Sequence, residues 1–87
     1  MTFRLILKPA AEKQLDRLPK STQRRVAEKL VQLEANPRMP GSVKLAGTQA
    51  TYRARVGDYR IVYEVEEARR IVFVTIIAHR REVYRGL

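Results

Sequence analysis

The chain has 87 residues, enough for one domain in which a sheet carries a single helical layer. Its 18 lysines and arginines outnumber 9 acids, and the resulting charge of +9 favours a polyanionic partner such as nucleic acid or an acidic protein. The lack of cysteine excludes a disulfide framework and a thiolate metal site, and the lack of a leader-like or long apolar segment predicts a cytoplasmic protein without membrane contact.

The chain begins with the pattern of a strand and a short helix. Residues 2–8 alternate apolar and polar side chains, as in a strand with one buried face. Proline suits the first turn of a helix, and it disfavours helical backbone in the residue before it. Pro9 and Pro19 therefore bound the first predicted helix.

A second, longer helix follows, and it completes a helical hairpin. Ser21 or Thr22 is expected to cap its start, and the helical pattern runs to about Ala35. Its buried stripe is Val26, Leu30 and Leu33, widened by Ala27. The proline- and glycine-containing residues 36–42 predict a loop.

Residues 52–63 predict a β-hairpin with two chemically different faces. The two strands are joined by a turn at Gly57 and Asp58. Successive side chains of a strand point to opposite faces, so the three arginines of this stretch share one face: Arg53, Arg55 and Arg60. A surface with three guanidinium groups is suited to phosphate.

The last predicted strand covers residues 71–78, which are almost wholly apolar and rich in β-branched side chains. Such a run is typical of a strand buried on both faces. The order is therefore β-α-α-β-β-β in an α+β fold of one domain, residues 1–87. The helical hairpin packs on one face of a small antiparallel sheet, and the arginines lie on the other, partly open face.

The residue types limit the chemistry that this chain can perform. The acids are scattered and His79 is the only histidine, so no metal site and no cofactor is expected. Arginine and tyrosine instead suit RNA cleavage in which the RNA's own 2′-hydroxyl attacks the adjacent phosphate. Arginine would stabilise the charge on phosphorus, while His79 or Tyr84 could move a proton.

Each of these features also has a structural explanation when it is taken alone. Tyr52, Tyr59 and Tyr63 are more often core or rim aromatics than platforms for base stacking. A histidine at a strand end is usually a surface or turn residue, and a basic strand face is often only solvated.

Two motifs together resemble a known family. They are Tyr-Arg-Ala-Arg-Val-Gly-Asp-Tyr-Arg-Ile-Val-Tyr-Glu-Val at 52–65 and His-Arg-Arg-Glu-Val-Tyr-Arg at 79–85. They are similar to the RelE branch of the RelE/ParE toxin superfamily, as are residues 8–19 and 44–47. The resemblance implies a toxin of a type II toxin–antitoxin pair, an mRNA interferase that cleaves mRNA in the ribosomal A site without a metal.

The resemblance also implies roles for individual residues. Arg60 matches the arginine that supports the scissile phosphate. Arg80 matches the arginine before the C-terminal tyrosine motif, and Tyr84 matches the tyrosine that orients the substrate base. His79 occupies a position where members of the family carry lysine or histidine. The phosphate and RNA contacts that complete the expected site are Arg53, Arg55, Arg81 and Lys44.

Where some members of the family have lysines, this chain has Arg53 and Arg55. Arginine stays protonated and is a poor general base, so acid–base work is expected at His79 or Tyr84. Two alternatives to the ribonuclease stay open: a ParE-like inhibitor of DNA gyrase, and a basic RNA-binding module without activity. Either toxin would need a cognate, RelB-like antitoxin, acidic and partly disordered; the ribonuclease would also bind the ribosome and mRNA.

Overall fold

The computed structural model describes residues 2–81. The elements are β1 (Arg4–Leu7), α1 (Pro9–Asp16), α2 (Lys20–Ala35), β2 (Val43–Lys44), β3 (Thr51–Val56), β4 (Tyr59–Glu66) and β5 (Ile71–His79). The predicted α+β fold is confirmed, with both helices packed against a single sheet. No helix in this part of the chain is long and apolar enough to cross a membrane.

The sheet has the strand order β1-β5-β4-β3-β2. The strands β3, β4 and β5 form the predicted antiparallel meander, and the short strand β2, which was not predicted, extends it by pairing antiparallel with β3. The first strand departs from a purely antiparallel arrangement because β1 pairs in parallel with β5, from Arg4 opposite Ile71 to Leu7 opposite Val74. A parallel pair requires a long connection, and here the helical hairpin and the meander supply it. The sheet is therefore mixed, and β5 lies between β1 and β4.

The second helix begins earlier than predicted. It starts at Lys20 with Pro19 at the N-cap position, and no side chain caps it. Pro19 has an extended backbone (φ −54°, ψ 147°), and its carbonyl accepts a hydrogen bond from the Gln23 N–H at 2.8 Å. The expected caps, Ser21 and Thr22, are therefore inside the first turn, and that prediction is wrong.

The core lies between the helical hairpin and one face of the sheet. The predicted stripe of α2 is confirmed, because Val26, Leu30 and Leu33 are buried, whereas Ala27 is exposed. The sheet contributes buried side chains from its three longest strands: Ala54, Val56, Ile61, Tyr63, Val65, Val72, Val74 and Ile77. This face is called the helix-side face below, and the other is called the open face.

Within residues 2–81 the apolar strand β5 is buried on its helix-side face and only partly covered on its open face, so the prediction of a strand buried on both faces is only partly confirmed. Val72, Val74 and Ile77 are buried on the helix-side face; on the open face Ile71 is buried as well, whereas Phe73 and Ile76 are half-buried. The half-buried Ile76 lines a surface groove on this face.

The helix α1 completes the free edge of β5. Beyond Val74, β5 has no partner strand on the β1 side, so the N–H of Ile77 needs another acceptor. The side-chain carbonyl of Gln14 accepts this hydrogen bond at 2.7 Å. One amide side chain thus ties the first helix to the end of β5 that carries His79.

We expect Gln14→Ala to lower the free energy of unfolding by about 1–2 kcal/mol, because it leaves a half-buried backbone N–H without its acceptor. Chemical denaturation with an unchanged m value measures this loss. Gln32→Ala, at an exposed position of α2, is the matched control, with an expected change within about 0.5 kcal/mol. Equal stability of the two variants would contradict a supporting role for Gln14.

Candidate functional site

The turn between β3 and β4 determines which side chains face each other. Gly57 and Asp58 form a two-residue connection, since Val56 pairs with Tyr59 on either side of it. Gly57 has a φ of +57°, whereas Asp58 does not have a positive φ. This combination is typical of a type II′ hairpin turn, whose twist matches that of the strands. The turn thereby sets the register of the whole hairpin.

This register brings three arginines onto the open face. Arg55 lies directly opposite Arg60, and Arg53 lies opposite Val62. The alternate residues, including Ala54 and Ile61, are buried in the helix-side core. The prediction that these three arginines share one face is therefore confirmed, and we call Arg53, Arg55 and Arg60 the arginine face.

The arginine face concentrates positive charge near the turn. Side chains directly opposite on antiparallel strands have Cβ atoms about 4.5–5.5 Å apart, and like charges at that distance repel each other. The Arg60 guanidinium donates hydrogen bonds to the carbonyl oxygens of Tyr59 at 3.2 Å and Gly57 at 3.4 Å, which holds it at the turn. A bound phosphate would relieve the repulsion between Arg55 and Arg60 and could accept two hydrogen bonds from each guanidinium group.

A groove of about 760 Å³ continues the open face beside the arginines. Val62, which lies opposite Arg53, is part of its floor together with Ile76 and Ala78 of β5. The loop between β2 and β3 forms one side, where Leu45 and Thr48 line it. The groove therefore places an apolar surface next to the cationic one, as a nucleotide with its base and phosphate would require.

A β-bulge between Val62 and Tyr63 shapes this groove. Val62 pairs with Ile76, and Tyr63 pairs with Val74, so Thr75 is the extra residue of β5. Its hydroxyl donates a hydrogen bond to the Val62 carbonyl at 3.1 Å. Bulges bend a strand and increase its local twist, which explains why the open face is concave at this point.

The chain after β5 returns to the hairpin turn. The N–H of Arg80 donates to the carbonyl of Asp58 at 2.7 Å, so Arg80 lies beside the turn that carries Arg60. Arg81 follows it and is exposed. Tyr84, the fourth predicted catalytic residue, lies outside the described residues.

His79 lies on the other side of the sheet from the arginine face. It pairs with Tyr59, while Ala78 pairs with Arg60, so the His79 side chain points to the helix-side face. Its ring contacts the Tyr59 ring edge to face, with centroids 5.6 Å apart. Its Nδ1 accepts a hydrogen bond from the Arg81 N–H at 3.3 Å, which assigns the proton of the neutral ring to Nε2. The last strand thus brings the backbone of His79 next to β4 but turns its ring away from Arg60.

Lys44 is also separated from the arginine face. Val43 pairs with Arg53, whereas Lys44 pairs with Tyr52, whose side chain packs against the core. The register therefore directs Lys44 toward the helix side of the sheet edge. Its exposed position leaves it available to a partner on that side.

Two further arginines lie near these sites, although no sequence pattern predicted their positions. Arg25 of α2 reaches the hairpin turn, where its terminal nitrogens would be 3.3 Å from a Cβ atom at Gly57. Arg17 lies next to His79 and Tyr59 around a second cleft. Both had the pattern of a solvated helix face, and only the packing of the helices on the sheet distinguishes them.

The described residues offer no clustered ligands for a metal ion, since no group of three or more histidines, acids or cysteines occurs in residues 2–81. The open face presents arginine side chains next to an apolar groove, an arrangement that is suited to binding phosphate.

Solved structures share this fold along nearly the whole chain. RelE in the archaeal RelE–RelB complex from Pyrococcus horikoshii is 35% identical, and the match covers 92% of this chain and 97% of that chain with a TM-score of 0.80. A mutant of the E. coli toxin RelE in the free state is 28% identical over 98% of this chain and 93% of that chain, with a TM-score of 0.82. The intact E. coli RelBE toxin–antitoxin complex matches at 26% identity over 88% and 95% of the two chains, with a TM-score of 0.79.

The sequence comparisons agree with the structural ones. The family described as the ParE toxin of the type II toxin–antitoxin system parDE matches residues 5–84, which is most of the chain. No curated protein matches the chain. The family match and the 35% identity to an archaeal RelE, together with the sheet topology, lead to one conclusion: the chain belongs to the RelE/ParE superfamily of type II toxin–antitoxin toxins, in its RelE branch.

Proposed function

We propose that this toxin is a ribosome-dependent endoribonuclease that cleaves mRNA in the A site. The observation that supports it best is the position of the arginine face at the end of the apolar groove, where Arg55 and Arg60 lie directly opposite each other. A ribonucleotide has the matching layout, with an anionic phosphate on one side of the sugar and a flat apolar base on the other.

The proposed reaction is a transfer of phosphorus within the RNA. The 2′-oxygen forms a bond to the adjacent phosphorus while the bond from phosphorus to the 5′-oxygen breaks. The 2′-hydroxyl loses a proton and the leaving 5′-oxygen gains one, so the products are a 2′,3′-cyclic phosphate and a 5′-hydroxyl. Arg60 and Arg55, with Arg53 and Arg80 as further phosphate contacts, stabilise the extra negative charge on phosphorus.

We assign proton transfer to Tyr84 rather than to His79. The His79 ring points to the helix-side face and contacts Tyr59, so it reaches the arginine face only around the end of the sheet. Arginine side chains hold their protons at working pH, which leaves the Tyr84 phenol as the candidate acid or base supplied by the C-terminal motif.

The proposed partners follow from the charge and from the related structures. Several similar structures are RelE–RelB complexes, and a RelB-like antitoxin, acidic and partly disordered, would complement a chain of net charge +9. The ribosome would present the mRNA. Arg81 is proposed as a further contact to RNA phosphate, and Lys44 as a contact on the opposite side of the sheet edge.

A second candidate has one observation in its favour: the matching family description names the ParE toxin. A gyrase inhibitor on this scaffold would change DNA supercoiling and leave mRNA intact. The apolar groove beside the arginine face favours the ribonuclease, because inhibition of gyrase alone requires no site for a nucleotide.

Expression of the toxin without its antitoxin tests the proposal. We expect growth arrest within minutes to hours, with new 5′-hydroxyl ends confined to translated regions of mRNA. Tyr84→Ala should abolish the cleavage, and co-expression of the neighbouring antitoxin should restore growth. Arrest with intact mRNA and altered plasmid supercoiling would instead select the gyrase inhibitor, and salt-sensitive RNA binding without arrest would select the inactive binding module.

A further inference from the structure

A second cleft lies on the helix side, at the end of the sheet where the hairpin turns. It has a volume of about 530 Å³ and adjoins the open-face groove, with which it shares Gln14 and Ala78 as lining residues. Its walls include Tyr59 of β4, His79 of β5, and Arg17 and Leu18 just after α1. Within residues 2–81 the helices leave this last part of the helix-side face uncovered, because α1 ends at Asp16.

The side chains around this cleft offer the contacts that an unpaired nucleotide uses. The Tyr59 and His79 rings meet edge to face at a centroid distance of 5.6 Å, and such a contact occupies at most one face of either ring. Arg17 is exposed and forms no ion pair within residues 2–81. Aromatic rings for stacking and a cation for phosphate are the two elements of most sites for single-stranded nucleic acid.

Gln14 adds a polar group that can select a hydrogen-bonding ligand. Its carbonyl oxygen accepts the N–H of Ile77, which fixes the side chain at the cleft. Its amide NH₂ group has no acceptor within residues 2–81 and remains a donor for a ring nitrogen or carbonyl oxygen of a base.

We propose that this cleft binds an unpaired RNA nucleotide, with its base against the Tyr59 and His79 rings and its phosphate at Arg17. This inference rests on the proposed function, because it requires an RNA partner, and it gives His79 a binding role in place of proton transfer. The mRNA strand and ribosomal RNA are the two sources of such a nucleotide, since both present the same unpaired base and phosphate.

The position of the cleft connects it with the arginine face. Tyr59 and Arg60 are consecutive residues whose side chains point to opposite faces of the sheet. The N–H of Arg80 donates to the carbonyl of Asp58, in the turn that directly precedes Tyr59 and Arg60. A strand whose phosphate is bound at Arg60 therefore needs only to pass the end of the sheet to reach Tyr59 and His79.

The first experiment uses the full chain and a short 2′-O-methyl RNA that contains 2-aminopurine, whose fluorescence is quenched by stacking. The modified RNA has no 2′-hydroxyl and cannot be cut, so binding is measured without catalysis. We expect quenching with the wild-type protein and a dissociation constant roughly 5- to 100-fold higher for His79→Ala, the range for the loss of one base–aromatic stack. His79→Phe should restore binding, because phenylalanine stacks but cannot transfer a proton.

The role of Arg17 is tested by the salt dependence of binding to the same RNA. Arg17→Ala should lower the slope of log K against log salt by about 0.7, the value for one phosphate contact to a single strand. Arg4→Ala is the matched control, since Arg4 is an exposed arginine at the β1 edge, beside the start of β5. Thermal unfolding of each variant confirms that the fold is kept.

A second arm measures the affinity of the same variants for vacant ribosomes. A loss of affinity for the short RNA alone identifies the mRNA strand as the ligand. A loss of affinity for vacant ribosomes alone identifies ribosomal RNA. If His79→Ala and Arg17→Ala bind both as tightly as the wild type while Arg60→Ala does not, the cleft proposal is overturned and the proposed function stands. A loss of antitoxin binding alone would also overturn it. Quenching by a chain that cuts no mRNA on translating ribosomes would refute the proposed function instead.

Discussion

Arg60→Ala should lower the rate of mRNA cleavage on programmed ribosomes by about 10²–10³-fold, the cost of removing one donor that stabilises charge in a transition state. Arg60 lies opposite Arg55 and is held at the hairpin turn by two backbone carbonyls. Its charge is therefore positioned before the substrate binds. Single-turnover cleavage with saturating ribosomes measures this effect without a contribution from product release.

The stability of the fold should hardly change in this variant. The side chain of Arg60 makes its backbone contacts near the surface, and its removal relieves the repulsion from Arg55. Arg60→Lys keeps the charge but loses the planar fork, so we expect it to recover only part of the rate. Arg69→Ala is the matched control, since it breaks an exposed ion pair with Glu66 at the opposite end of β4. Cleavage by folded Arg60→Ala at the wild-type rate would exclude Arg60 from the reaction.

Tyr63→Ala should lower the free energy of unfolding by about 3–5 kcal/mol. Tyr63 is fully buried in the core and is the largest of the fully buried side chains. Its ring stacks on Tyr52 with centroids 5.8 Å apart, and its hydroxyl donates to the Pro37 carbonyl at 2.6 Å. Small domains have total stabilities of about 5–15 kcal/mol, so chemical denaturation should show a variant close to unfolding.

Tyr63→Phe separates the hydrogen bond from the ring. It should cost about 1–2 kcal/mol, because the buried carbonyl of Pro37 loses its donor. Tyr59→Phe is the control, since the Tyr59 hydroxyl makes no hydrogen bond within residues 2–81, and it should change stability by less than about 0.5 kcal/mol. If Tyr63→Phe is as stable as the wild type, the contact with Pro37 does not hold the loop after α2 to the sheet.

The stabilities of the wild-type protein and Tyr63→Phe should depend differently on pH. Burial raises the pKa of the Tyr63 phenol above its ordinary value. The stability that comes from keeping this phenol neutral is fully present below about pH 10, where the phenol is also neutral in the unfolded chain. This stability is lost as the pH rises through the pKa of the phenol in the folded protein. Between neutral and strongly alkaline pH, Tyr63→Phe should therefore lose less stability than the wild-type protein.

The local sequence was sufficient to predict most of the fold. The helical stripe of Val26, Leu30 and Leu33 and the alternation of residues 52–63 each reflect a period that one element imposes on its own side chains. The parallel pairing of β1 with β5 had no such signal, because its two strands are far apart in the chain. The start of α2 at Lys20 was not predicted, because the helix begins directly after Pro19 without a side-chain cap, whereas the sequence pattern favoured a cap at Ser21 or Thr22.

For the candidate site, the sequence by itself determined the arginine face and the family, since a two-residue turn at Gly57 leaves only one register for Arg53, Arg55 and Arg60. Only the tertiary structure decided where the other groups lie. Ile76 and Ala78 of β5 form part of the floor of a groove whose walls come from the loop between β2 and β3 and from Ala10 and Gln14 of α1. His79 faces Arg17 and Tyr59 because register and alternation assign it to the helix side. Contacts between distant elements depend on how helices and strands pack together, and no local pattern encodes that packing.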